Sequence, residues 1–120
     1  MSKFYKDQDL DIFMQSKSLF LELTGELPFF KIVDFLMGEK GMEFTKEEIA
    51  KGARISRTSL FNHWHELEEN NIVKITKKHG KQEFYTINSK NQIVKKFFEI
   101  ELELIKKSLD AELSKQKIVV

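Results

Sequence analysis

"TKEEIAKGARISRTSLFNHWHELEENNIVK", Thr45 to Lys74, holds two helix starts separated by a turn. Thr45 and Glu48 stand three apart, the spacing at which a threonine hydroxyl takes a free backbone N–H while the glutamate reaches back to the cap. A short helix is therefore predicted from Lys46 to Gly52, with Ile49 and Ala50 inward. After Ala53-Arg54-Ile55, Ser56 can cap a second helix from Arg57 to about Glu69. Its buried stripe is Leu60, Trp64 and Leu67, at i, i+4 and i+7. The helical step of roughly 100° per residue turns Thr58, Asn62 and His65 to the opposite side, with Ser59 flanking, Arg57 in the first turn and Phe61 at the boundary.

Outward from this stretch the elements fall in a simple order. Residues 8 to 23 place Ile12, Leu19, Phe20 and Leu23 at helical spacing, although Leu19 to Leu23 also fits a short strand. Gly25 offers a stop, and Pro28 suits the first turn of a helix running to about Met37, with Phe29, Ile32, Val33 and Leu36 on one stripe. Gly38 and Gly41 close it. Beyond Asn70-Asn71 come two alternating runs, Ile72 to Lys78 and Lys81 to Ile87, joined across His79-Gly80. That loop sets Ile75 opposite Phe84 and Val73 opposite Thr86 on a mostly apolar face, with Lys74, Thr76, Glu83 and Tyr85 on the other. From Asn91 to about Lys115 a long helix carries two apolar stripes, Ile93, Phe97, Ile100 and Leu104 beside Phe98, Leu102, Ile105 and Leu109. So wide an apolar arc needs cover, from a second chain, from Met1 to Glu26 folded back, or from both.

Composition narrows the class. The chain has 120 residues, 41% of them apolar, eleven phenylalanines, one proline and five glycines, which describes one compact, mainly helical domain. With no cysteine, disulfides, thiol nucleophiles and cysteine-ligated zinc are excluded, in agreement with a reducing compartment. No run approaches a membrane span and the first eleven residues are polar, so a soluble, cytoplasmic protein without membrane contact is expected. The net charge is only +1, yet the charges are segregated. Asn71 to Lys90 has five lysines against Glu83, whereas Glu99 to Glu112 has five acids against Lys106 and Lys107. One end attracts phosphate and the other repels it.

The helix opened by Ser56 is sorted along its length in the same way. Glu66, Glu68 and Glu69 crowd its C-terminal half, so only the first two turns can approach a nucleic-acid backbone. There Arg57, Thr58, Ser59 and Asn62 stand beside free N–H groups. Arg57 suits a guanine edge or a phosphate, and Asn62 suits an adenine. Lys77, Lys78, His79 and Lys81 surround the hairpin tip, where long cations can follow a minor groove or its phosphates; the same lysines also guard a hairpin edge against aggregation. His63 and His65 are two apart on a helix, diverge, and have no third ligand in register, so no metal is expected. Neither a nucleophile and base pair nor a glycine-rich phosphate loop is present. No catalytic residue and no cofactor is assigned, and the chain is not expected to be an enzyme. The phenylalanines read as core packing before they read as a ligand pocket.

Helix, helix, turn, helix, hairpin and long helix is the winged helix-turn-helix order. "LPFFKIVDFL", the stretch quoted first, "KKHGKQEFYTIN" and "NQIVKKFFEIE" together resemble the small winged helix-turn-helix transcription regulators of archaea, related in architecture to the MarR and ArsR regulators. The resemblance spans about Leu23 to Glu103. It implies a homodimer on double-stranded DNA, with the helix at about 57–69 in the major groove and the wing at 72–87 on the backbone or minor groove. By position it assigns DNA contacts to Arg57, Thr58, Ser59 and Asn62, and wing contacts to Lys77, Lys78 and Lys81. The pattern departs at Arg54, where such turns usually carry a glycine of positive φ; a side chain there costs on the order of 1 kcal/mol and adds a cation beside the groove.

The expected fold class is mainly α with a small β-hairpin. An N-terminal arm at 1–26 is followed by a DNA-binding unit at 27–90 and a dimerisation helix and tail at 91–120. Candidate DNA contacts are Arg54, Arg57, Thr58, Ser59, Asn62, His65, Lys77, Lys78, His79 and Lys81. Candidate dimer contacts are Phe97, Phe98, Ile100, Leu102, Leu104, Ile105 and Leu109. No residue pattern specifies a small-molecule effector. The alternative function is a winged-helix module that binds protein and not DNA.

Overall fold

A computed structural model describes residues 18–119. Along the chain lie α1 (Leu19–Thr24), α2 (Pro28–Gly38), α3 (Lys46–Ala53), α4 (Arg57–Glu69), β1 (Val73–His79), β2 (Gln82–Ile87) and α5 (Gln92–Val119). The fold is mainly helical, with one antiparallel hairpin and a long C-terminal helix. Of the helix expected over 8–23, residues 8–17 lie outside the described residues, and Ser18 caps the remainder.

Each helix starts where a short polar side chain or a proline can stand in for the missing turn. Ser18 Oγ accepts from the Leu21 N–H at 3.0 Å and donates to Asp34 Oδ1 at 2.8 Å, so the α1 cap is also a tie to α2. Pro28 opens α2. Thr45 and Glu48 make both halves of the capping box, at 3.2 and 2.9 Å. Ser56 Oγ accepts from the Ser59 N–H at 3.0 Å, and Asn91 Oδ1 from the Val94 N–H at 3.1 Å. The stops of α3 and α4 use one device. Arg54 (φ 62°) and Asn71 (φ 55°) turn left-handed, and the next residue's N–H reaches back five positions, Ile55 to Ala50 at 3.0 Å and Ile72 to Leu67 at 2.9 Å.

Ile32, Val33 and Leu36 of α2, Ile49 and Ala53 of α3, and Leu60, Trp64 and Leu67 of α4 meet in one core, closed by Ile72, Tyr85, Ile87 and Val94. At about 1.5–3 kcal/mol for each large apolar side chain buried, the stripe of α4 outweighs any preference of its polar face. Phe20 meets Phe30 and Phe97 edge-on, at 6.1 and 5.8 Å between centroids, which fastens α1 and α2 to the start of α5.

The hairpin differs from its expected form. Gly80 and Lys81 make the loop, not His79 and Gly80, because Gly80 takes the positive φ (64°) as first loop residue. Val73 pairs with Ile87 and Ile75 with Tyr85, and a bulge at Thr76 shifts the tip so that Lys77 faces Phe84. β2 is thereby displaced by one residue against β1, so that Tyr85 and Ile87, not Phe84 and Thr86, share the face of Val73 and Ile75; Tyr85 is buried there, while Ile75, nearer the tip, is 45% exposed. The extra constraint is Phe44, whose N–H donates to the Tyr85 carbonyl at 2.8 Å and whose carbonyl accepts from the Tyr85 N–H at 2.7 Å. This bridge holds β2 at the mouth of α3. Along α5, Val94 is buried and Phe97 and Phe98 pack on the core, whereas Ile93, Ile100, Leu102, Ile105, Leu109 and Leu113 are exposed.

Gly52 lets α3 lie close on α2, since a Cβ there would stand 2.3 Å from Cε1 and Cζ of Phe35. The Phe35 ring is braced by Phe44, 5.1 Å away. Gly52→Ala should lose about 1 kcal/mol, an overpacking cost of about 1–3 kcal/mol being partly offset by the better helix propensity of alanine. A urea midpoint equal to or above that of the parent chain would show that Phe35 yields freely.

Candidate nucleic-acid interface

Burial on one side of α4 decides the exposure of the other. With Leu60, Trp64 and Leu67 inside, Thr58, Asn62 and His65 stand exposed on the opposite face, and Arg57 is exposed in the first turn. Ser59 is half-buried and spends its N–H on the Ser56 cap. Phe61, at the boundary, keeps 52% of its surface exposed. Arg54 is exposed at the turn before α4 and takes the left-handed conformation expected there (φ 62°, ψ 44°); its carbonyl accepts from Lys31 Nζ at 3.3 Å. His79 and Lys81 are exposed at the hairpin tip, flanked by exposed Lys77 and Lys78.

Three of the cations on this surface are paired. The Arg57 guanidinium bonds the Glu47 carboxylate of α3. Lys77 Nζ lies 2.9 Å from Glu43 Oε1, and Lys78 Nζ lies 3.4 Å from Glu83 Oε2. On the acidic half of α4, His65 Nε2 is 2.7 Å from Glu69 and His63 Nδ1 is 3.4 Å from Glu66. Exposed pairs of this kind contribute little stability, and a phosphate can replace the carboxylate at small cost. The Thr76 hydroxyl and Lys77 hold the Glu43 carboxyl below its usual range, and the Tyr85 hydroxyl and Lys78 do the same for Glu83. Burial first, then the bond to Glu83, pushes the Tyr85 hydroxyl up to about 12, so it stays a donor to Glu83 Oε1 at 2.8 Å.

The N-terminal half of α4 and the hairpin tip face each other across an open groove of about 560 Å³, bordered by Arg57 and Phe61 on one side and by Lys81, Gln82 and Phe84 on the other. The chemistry on offer is recognition: hydrogen-bond donors and acceptors on a helix, and cations on a ribbon. Among the described residues no group of three or more His, Asp or Glu is placed to hold a metal ion, and no helix is long and apolar enough to cross a membrane. Three residues that matter here were not singled out from the sequence. Glu43 meets Lys77 far along the chain, Glu47 meets Arg57 on the next helix, and neither carries a local signal. Phe44 carried a weak one, an aromatic between glycine and a helix cap, where a third short strand can fit.

No family model and no curated protein sequence matches this chain. Solved structures do match it in fold. Staphylococcus aureus MepR, as a point mutant bound to an oligodeoxyribonucleotide, is similar with a TM-score of 0.56 and 12% identity, over 99% of this chain and 91% of that one. An apo form of Lactococcus lactis ZitR gives 0.55 and 14%, over 99% and 89%. NadR in complex with 4-hydroxyphenylacetate gives 0.52 and 15%, over 99% and 85%. At these identities the likeness is one of architecture, a winged helix-turn-helix with a long C-terminal helix.

Arg54→Gly tests the strained turn. Relieving a left-handed side chain should raise the unfolding free energy by about 1 kcal/mol in urea. A fall would mean that the arginine stem packs more favourably than its backbone is strained.

Proposed function

We propose that the chain is a sequence-specific, double-stranded-DNA-binding transcription regulator that acts as a homodimer. The N-terminal half of α4 enters the major groove and the β1–β2 wing lies on the backbone or in the minor groove. What supports this above all is the outward row of α4, with Thr58 and Asn62 free to meet base edges beside a lysine-edged ribbon. His65 continues that row, and Arg57 and Ser59 flank it. Arg54, Lys77, Lys78, His79 and Lys81 serve the phosphates, which position the helix without reading sequence. The similarity in fold to a MepR structure that holds an oligodeoxyribonucleotide agrees with this use of the same architecture.

Dimerisation follows from α5. Leu102 and Leu109 are 65% and 59% exposed, and with Ile105 and Leu113 they form one stripe, while Ile93 and Ile100 form a second on the other flank of the buried row. A second copy is the cover of matching chemistry. Paired recognition helices would then address half-sites roughly 34 Å apart or a multiple of it. A competing reading has its own support, because exposed Phe61 and Ile75 near the wing are the kind of apolar anchors that a protein-binding module presents.

Titration of duplexes enriched from a random pool, at several salt concentrations, separates the two. The DNA reading expects a steep log–log salt slope and unequal affinities; a flat slope or equal affinity for every sequence leaves the protein-binding reading in place. Asn62→Ala should flatten the preference among sites, at roughly 1–3 kcal/mol for the best site, while Lys78→Ala should weaken all sites alike. For the assembly, Leu102→Glu combined with Leu109→Glu should sediment as a folded monomer. A dimer that survives both changes would move the interface away from this stripe.

A further inference from the structure

Lys46, in the first turn of α3, is held differently from its cationic neighbours. Arg57, Lys77 and Lys78 each have a carboxylate partner. Among the described residues no carboxylate oxygen lies within ion-pair distance of Lys46, although its charge adds weakly to what holds the Glu83 carboxyl down; its Nζ sits 5.2 Å from the Trp64 ring centroid, 5.7 Å from that of Tyr85 and 5.8 Å from that of Phe61. Aromatic faces stabilise an ammonium without using its N–H groups, so all three donors of Lys46 keep their capacity. The same three rings belong to α4 and β2. The ammonium therefore stands at the junction of the reading helix and the wing, half-buried, on the border of the groove between them.

The composition of that groove selects its occupant. Lys46, Arg57 and Lys81 are balanced there by Glu47, Glu48 and Glu83. A small free anion gains little net attraction from such a mixture, whereas a phosphodiester held in place by contacts on either side needs only one well-aimed donor. With α4 in a major groove and the wing beside it, the strand bordering the groove passes between them. We propose that Lys46 is a backbone-phosphate contact, seated by Phe61, Trp64 and Tyr85 before DNA arrives, so that little side-chain freedom is lost on binding. This rests on the DNA-binding reading above and adds to it a residue that neither the helix row nor the wing lysines include.

The experiment compares the full chain with Lys46→Gln, Lys46→Met and Lys46→Arg on the best-binding duplex and on unrelated duplexes, across a salt series, with a thermal melt of each variant. Lys46→Gln and Lys46→Met should weaken every duplex by roughly fivefold to tenfold and lower the salt slope by about 1, while Lys46→Arg stays within about threefold of the parent. Methionine keeps the apolar stem over the rings, which separates a lost charge from a lost contact. Unchanged affinity and slope in Lys46→Gln, or equal losses in the arginine and glutamine variants, would overturn the proposal while leaving DNA binding by the parent intact. Absence of binding by the parent itself would instead remove the reading on which it rests.

Discussion

The edge-on contact of Trp64 with Tyr85, centroids 4.8 Å apart and planes at 78°, orients almost everything that the candidate interface presents. Rotating α4 far enough to expose the indole would bury Thr58 and Asn62 in its place. Moving Tyr85 would release β2, and the wing with it. Trp64 is 4% exposed, and its Nε1 is buried without an acceptor among the described residues. An unpaired buried N–H costs about 1–3 kcal/mol. The indole is nevertheless retained because its area and its ring edge serve two elements at once, and a smaller apolar side chain would leave Tyr85 without a surface to lean on.

Electrostatics on this surface are local, in keeping with a net charge of only +1. The guanidinium of Arg57 and the ammonium groups of Lys77 and Lys78 are each neutralised by a neighbouring carboxylate, so the free surface has a modest field and weak long-range steering. Contact with phosphate would exchange one anion for another. On the proposed reading, such an exchange would yield less non-specific affinity than the lysine count suggests, and would leave more of the discrimination to uncharged Thr58 and Asn62. A bare cluster of lysines would hold any duplex almost equally well.

The helices were largely legible because their signals are local. The Thr45 and Glu48 capping box, the Ser56 cap and the i, i+4, i+7 stripe of Leu60, Trp64 and Leu67 all lie within one or two turns, and each takes the conformation its spacing implies. Arg54 was legible for the same reason, since the turn demands positive φ whatever residue occupies it. The hairpin was less so. Its register includes a bulge at Thr76 and a bridge from Tyr85 to Phe44, which lies well before the strand pair in the chain; alternation alone placed Tyr85 on the wrong face. Ion pairs such as Arg57 with Glu47 were invisible, because no periodicity links the first turn of one helix to the first turn of the helix before it.

The other end of the molecule is fastened by different forces. Asp34 of α2 and Glu101 of α5 are both partly withdrawn from water. Burial raises both carboxyls above their usual range, opposed at Asp34 by the Ser18 hydroxyl and reinforced at Glu101 by the charge of Asp34. A raised carboxyl in the folded chain means extra protons bound by that state, so these two groups favour folding at low pH and their contribution is lost as pH rises through the raised values. In their charged forms the two carboxylates oppose the closure of α5 on α2. The edges of Phe20, Phe30 and Phe97 must outweigh them. The long helix is therefore joined to the core by aromatic packing against an electrostatic load, whereas the wing is joined by aromatic packing with cations added.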